Sequence, residues 1–116
     1  MASENDQIGV STDAIADGVV VSLTGDIDFS CSPQLRADLK QVLLEEQSRL
    51  VLDLAQVGYM DSSGVAVLVE ILQIQRKQEH KLVLCNMQDK VQKIFVISRL
   101  DSVFTIAADV AAAAEA

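Results

Sequence analysis

The chain reads as an α/β domain, a mixed β-sheet of about five strands with alternating helices. Three observations lead to that class. Two alternating apolar stretches, joined by Asp17-Gly18, open the chain as an antiparallel hairpin. From Ser32 onward, segments with helical spacing alternate with short apolar runs, the pattern of parallel strands and their crossovers. The run Leu50 to Leu54 is apolar at all but one position, as an interior strand covered on both faces must be.

The elements follow in order. Residues 1–7 are polar and expected to be disordered. Ile8, Val10 and Thr12 alternate with Gly9 and Ser11 in a first strand, and Val19 to Thr24 makes the second. Gly25-Asp26-Ile27-Asp28 leaves the sheet, and Ser32-Pro33 reads as N-cap and first helical residue. Leu35, Leu39, Val42 and Leu43 then line one face of a helix reaching about Gln47. Within Leu50 to Leu54, Asp53 is the polar exception, at a strand end or facing a site. From Gly64 to about Glu79 runs a helix with two apolar stripes: Val65, Leu68, Val69 and Leu72 as core, and Val67, Ile71 and Ile74 farther round the cylinder. Only Ala66, Glu70, Gln73 and Lys77 form a wet side, so this helix is either deeply buried or exposes a contact patch. Lys81 to Cys85 is a strand, Asp89 to about Ser98 a helix with Val91, Ile94 and Phe95 inward, and Val103 to Ile106 a last strand. Residues 109–116 form an Ala-rich tail, helical or frayed, completing one domain over residues 1–116.

Composition removes whole classes of function. Nine Lys and Arg against seventeen Asp and Glu give a net charge of −8, which repels phosphate backbones, and 3% aromatic content leaves little for base stacking, so no nucleic acid partner is expected. The acidic surface suits a basic protein partner instead. Cys31 and Cys85 stand far apart with no Cys-x-x-Cys, and a single histidine makes no metal cluster, so two reduced thiols and no metal are expected. Met1 to Gln7 has no signal-peptide character and no run is long enough for direct membrane insertion, which predicts a cytoplasmic protein.

The stretch with chemical potential is Asp61-Ser62-Ser63-Gly64, where a strand delivers the chain to a helix N-terminus. Unpaired N–H groups there welcome a cap, a carboxylate or a phosphate. A serine nucleophile needs a base, and the only histidine, His80, falls at the far end of the same helix. With no Gly-x-Ser-x-Gly, no Gly-x-Gly-x-x-Gly and no P-loop, neither a hydrolase nor a common nucleotide site is indicated. By spacing alone, Ser62 is accounted for as an N-cap worth roughly 1 kcal/mol. Asp26, Asp28 and Asp61 are likewise accounted for as solvated carboxylates.

Taken together, Leu23-Thr-Gly-Asp-Ile-Asp28, a helix, Leu50-Val-Leu-Asp-Leu54 and Tyr59-Met-Asp-Ser-Ser-Gly-Val65 resemble the bacterial anti-sigma-factor antagonists, which are single STAS domains. The resemblance runs from about Ile8 to Ala107. By position, Ser62 matches the serine phosphorylated in that family, Ser63 its Ser/Thr neighbour, and Asp26 and Asp28 the acidic loop beside it. Asp61, Ser63 and Gly64 complete the surroundings. The chain departs from the pattern at Gln78-Glu-His-Lys81, which lacks the Gly of close relatives, and at Arg99, where many have Gly. Ile71 replaces a residue that is often polar.

The resemblance implies a partner switch. The unphosphorylated antagonist binds an anti-sigma factor that is also a serine kinase and so releases the target that the kinase held. Phosphorylation on Ser62 ends the binding, and a serine phosphatase resets it. The protein is then no enzyme and has no cofactor, since ATP and Mg²⁺ belong to the kinase. It is expected as a monomer or weak dimer that presents Val67, Ile71 and Ile74 with the 26–28 loop and Ser62. A phosphate adds about −1.5 to −2 charge at pH 7, which opposes any partner surface selected for a hydroxyl. The rival reading is a non-switching STAS subunit of a larger assembly, a lipid-transport complex or stress-signalling scaffold, with Ser62 only a helix cap. A small-ligand sensor has no positive feature in the sequence.

Overall fold

The computed structural model describes residues 8–116, so the expectation of a disordered segment 1–7 lies outside the described residues. Strand β1 (Gly9–Ile15) pairs antiparallel with β2 (Gly18–Thr24), and β2, β3 (Arg49–Gln56), β4 (Lys81–Cys85) and β5 (Thr105–Ala107) are parallel neighbours in that order. The expected mixed five-stranded sheet is therefore present. Helices α1 (Ser32–Val42), α2 (Ser62–Lys77) and α3 (Asp89–Ile97) are the three crossovers. Because each connection is right-handed by rule and steps in the same direction, all three fall on one face of the sheet. Leu35 and Leu39 of α1, Leu68, Ile71 and Leu72 of α2, and Val91 and Phe95 of α3 share one buried cluster with Val19, Val21, Leu50, Leu52, Leu54, Leu82 and Leu84.

The alternate residues of the same strands point the other way. Val20, Val51, Val83 and Cys85 form a smaller cluster closed by Ala113 of α4 (Val110–Ala113), so the alanine tail is a folded cover. Asp109 caps it by accepting a hydrogen bond from the Ala112 N–H at 2.8 Å. Arg49, buried at the start of β3, pairs with Asp17 at 3.1 Å and donates to the Ala113 and Ala116 oxygens, which fastens the tail to the hairpin.

The contact-patch expectation for Val67, Ile71 and Ile74 is corrected. Val67 and Ile71 are 6% and 0% exposed, and Ile74 is half-buried against the same cluster. The reason is the one-sided layer: α2 packs beside α1 and over β4, and its inner side chains join the cluster with Leu50, Leu52, Leu54, Leu82 and Leu84, so a stripe that would be free on an edge helix is enclosed. Its outer side is tied to α1 by Glu70, which accepts from Arg36 and Lys40 at 2.7 Å each and whose carboxyl those two cations hold down to about 2.

Several boundaries also moved. Helix α1 ends at Val42 rather than near Gln47, because the Gln47 carbonyl is taken by the buried Gln75 amide at 2.9 Å and the chain must turn into β3 at Arg49. Ser32 is the first helical residue and Cys31 the N-cap, without a side-chain cap bond. The last strand begins at Thr105, after a 3-10 turn at Leu100–Ser102. Glu79 and Arg99, the positions without glycine, both stand in the left-handed region at φ 60°. No helix among the described residues is long and apolar enough to cross a membrane.

Candidate functional site

The site is the corner where the β2–α1 loop meets the β3–α2 loop, at the carboxyl edge of the sheet. After β2 the chain keeps pairing with the segment that follows β3: Gly25 N–H donates to the Gln56 carbonyl at 3.0 Å and Ile27 N–H to Tyr59 at 2.9 Å. Asp61 N–H donates back to Ile27 at 3.0 Å, closing an isolated parallel bridge between Ile27 and Met60. Both of those side chains are fully buried, so the loops are pinned from below. Gly64 is required at this junction, since a Cβ there would stand 2.5 Å from Ile27 Cγ2 and 2.8 Å from Met60 Cγ.

Asp61 organises the corner. It is the N-cap of α2, with one carboxylate oxygen accepting from Ser63 N–H at 2.9 Å, Gly64 N–H at 3.2 Å and the Ser63 hydroxyl at 2.6 Å. Its other oxygen accepts from Phe29 N–H at 3.1 Å, across 32 residues of sequence. The Ser63 hydroxyl bond, followed by the backbone N–H groups of Gly64, Ser63 and Phe29, holds the Asp61 carboxyl below the usual carboxylate range. Asp28 is held low as well, first by the Ser30 hydroxyl and then by the Ser30 N–H, against the opposing charge of Asp61. Two carboxylates are thus ionised as neighbours at the start of α2, and Asp26 faces the other loop, its Oδ1 3.5 Å from where a Cβ on Gly58 would be.

Ser62 is not the cap expected for it. It occupies the first helical position, with Asp61 one residue earlier in extended conformation at φ −101° and ψ −175°. The consequence separates the two serines. Ser63 is half-buried with its hydroxyl committed to Asp61, whereas Ser62 is exposed and its hydroxyl has no hydrogen-bond partner among the described residues. His80 follows the far end of α2, so no imidazole reaches Ser62. Among the described residues no group of three or more His, Cys, Asp or Glu side chains is arranged to hold a metal ion.

Sequence reasoning missed two residues of this corner. Phe29 is 78% exposed and Tyr59 is 49% exposed, although aromatics make up only 3% of the chain. The signal was available: two of the few aromatics lie one and two residues from Asp28 and Asp61, in loops whose other apolar members point inward. The sequence pattern predicts only a reduced thiol at Cys31. It is buried behind the same loop, accepting from Asp28 N–H at 3.4 Å, and burial pushes its thiol up.

The model of the STAS domain family matches residues 10–113. The chain belongs to the STAS domain family. Within it, the anti-sigma-B factor antagonist of Bacillus subtilis is 33% identical over 90 residues, 78% of this chain and 82% of that one. The crystal structure of an anti-sigma factor antagonist from Mycobacterium paratuberculosis superposes with a TM-score of 0.86 at 23% identity, covering 93% of this STAS domain and 92% of its relative. The Bacillus cell-fate determinant SpoIIAA in its phosphorylated form superposes with a TM-score of 0.65 at 21% identity, over 85% and 91% of the two chains. These two likenesses establish the fold of this STAS domain, and the chain is one of the anti-sigma factor antagonist type by sequence.

Proposed function

We propose that this STAS domain is an anti-sigma factor antagonist working in a partner switch, with Ser62 as the phosphate acceptor. The observation that carries the proposal is the division of labour between the two serines: the Ser63 hydroxyl is spent on Asp61, and the Ser62 hydroxyl projects unpaired at the first position of a helix. The unphosphorylated domain binds an anti-sigma factor that is a serine kinase, phosphorylation ends the complex, and a phosphatase restores it. The domain is the substrate and the binder, and catalysis, ATP and Mg²⁺ belong to the partners. A solved relative in a phosphorylated form supports this reading.

The contact surface is the corner itself. Phe29 and Tyr59 are exposed aromatics, one on each of the two loops that meet at Asp61, of the kind that dominates binding energy when buried against a partner. A phosphate on Ser62 meets Asp28 and Asp61 already ionised, while Asp61 has taken the N–H groups of Ser63 and Gly64 that would otherwise receive it. It adds about −1.5 to −2 charge to a surface the partner has to desolvate. The burial of Val67 and Ile71 takes the α2 stripe from this reading and from the rival, a non-switching subunit, alike, and what counts against the rival is that the cap it assigns to Ser62 is made by Asp61.

The test is incubation with the genomically neighbouring serine kinase and ATP, read by intact mass and a phosphopeptide map. One phosphate on Ser62, absent in Ser62→Ala, is the expected result. Label on Ser63, or none with a kinase active on another substrate, refutes the assignment.

A further inference from the structure

The two edges of the sheet are finished differently. At one, β5 is three residues long, with the 3-10 turn before it and α4 after it. At the other, β1 runs for seven residues and pairs with β2 in an unbroken register from Gly9 and Thr24 to Ile15 and Gly18. Among the described residues β1 has a hydrogen-bonded neighbour on one side alone. Globular proteins blunt such an edge with lysine, proline, a bulge or a very short strand. β1 has none of these, and its only charged residue is Asp13.

The pattern of the ladder fixes which main-chain groups are open. Ala16-Asp17 is a two-residue turn, which makes Ile15 and Gly18 a pair that exchanges both main-chain hydrogen bonds. Such pairs recur at every second residue, so Asp13, Ser11 and Gly9 also spend their N–H and C=O groups on β2, and those of Val10, Thr12 and Ala14 point away from the sheet. Thr12 and Ala14 are exposed, Val10 is half-buried, and no turn, loop or cap hydrogen bond among the described residues engages the main chain of any of them.

We propose that β1 is the pairing edge for a second copy of this chain, antiparallel, with a two-fold axis through Thr12. The strand is complementary to itself in that register. Val10 stands opposite the partner's Ala14, Ser11 opposite the partner's Asp13 and Gly9 opposite the partner's Ile15, and every open N–H and C=O group of both strands finds its counterpart. An axis one residue later sets Asp13 directly against its own copy, and like charges so placed are destabilising. An axis one residue earlier sets Ala14 against the partner's Ile8, which lies outside the strand. Because the axis is perpendicular to the sheet, the two helix layers lie on the same side of it. There the exposed Leu44 lines a groove of about 450 Å³ with Thr12 and Val19, and that groove becomes continuous with its copy across the axis. The Ser62 corner takes no part in the pairing, which leaves both Ser62 hydroxyls open. With a net charge of −8 on each copy, the dimer is weak and tightens as salt screens the repulsion.

The experiment is sedimentation equilibrium of the full chain from micromolar to millimolar concentration, with amide hydrogen exchange followed at both ends of that range. A monomer–dimer equilibrium is expected. The Val10, Thr12 and Ala14 amides should exchange freely when dilute and become protected when concentrated, while those of Ser11 and Asp13, already bonded to β2, change little. Ser11→Lys brings an ammonium opposite the partner's Asp13 at two symmetry-related places and should tighten the dimer about fivefold, and Ser11→Asp should loosen it by about as much. Thr12→Pro removes an outward N–H that β2 does not use, so the variant should melt near the wild-type midpoint and stay monomeric. A monomer at every concentration, protection of the three amides that does not depend on concentration, a dimer that survives in folded Thr12→Pro, or one whose affinity both Ser11 variants leave unchanged overturns the proposal.

Discussion

Replacing Asp61 by alanine should loosen the corner and blur the choice between the two serines. The wild-type carboxylate accepts four hydrogen bonds, two from helix N–H groups, one from the Ser63 hydroxyl and one from Phe29 N–H. Loss of an N-cap costs about 1 kcal/mol. Loss of the tether to Phe29 adds about 1 kcal/mol, the ordinary net worth of one hydrogen bond. Together they make about 2 kcal/mol, or a fall in thermal midpoint of about 8 °C for a domain of this size. The Asp61 carboxyl titrates below its ordinary value when folded, so its stabilisation is complete above the unfolded pKa and is lost as the pH falls through the folded one. Calorimetry should therefore give a constant gap between wild type and Asp61→Ala from about pH 5 to 8, narrowing below about pH 4 where the carboxylate is protonated. The freed Ser63 hydroxyl should then compete for phosphate in the kinase assay, whereas Asp61→Asn, which still caps, should keep most of the selectivity. A midpoint unchanged at pH 7, or a gap that widens on acidification, would show that Asp61 does not hold the corner.

Three further predictions rest on burial and backbone geometry. Ile71→Asp places an unpaired carboxylate at a position with no solvent exposure, and at a cost of several kcal/mol should leave the domain largely unfolded by circular dichroism; a folded variant that only lost partner binding would restore the contact-patch reading. Ser62→Asp puts a charge at an exposed first-turn position, where about 0.3–1 kcal/mol from the helix dipole is offset by Asp28 and Asp61. Its midpoint should stay within a few degrees of wild type while calorimetric titration finds kinase binding abolished, and wild-type affinity would refute the electrostatic switch. Arg99→Gly relieves a left-handed residue, gaining about 1–2 kcal/mol less about 0.5–1 kcal/mol of glycine entropy, so the midpoint should rise by a few degrees rather than fall.

The sequence by itself determined the class of fold, because periodicity is a local property. The hairpin at Asp17-Gly18, the apolar β3 run and the helical spacing in α1, α2 and α3 each follow from which residues must leave water, and their order leaves few ways to build a sheet. The Asp61-Ser62-Ser63-Gly64 segment was legible for the same reason: it marks where a strand ends and a helix starts. Which residue of it caps the helix was not legible, since aspartate and serine are near-equal caps and the choice fell to the one whose second oxygen reaches Phe29 from another loop. Tertiary structure alone decided the fate of Val67 and Ile71, whose stripe has the same composition whether a sheet and a neighbouring helix enclose it or a partner does. It also decided the exposure of Phe29 and Tyr59, which hydrophobicity places inside. They stay outside because Ile27 and Met60, beside them in the same two loops, fill the interior beneath Gly64 and leave no room for a ring.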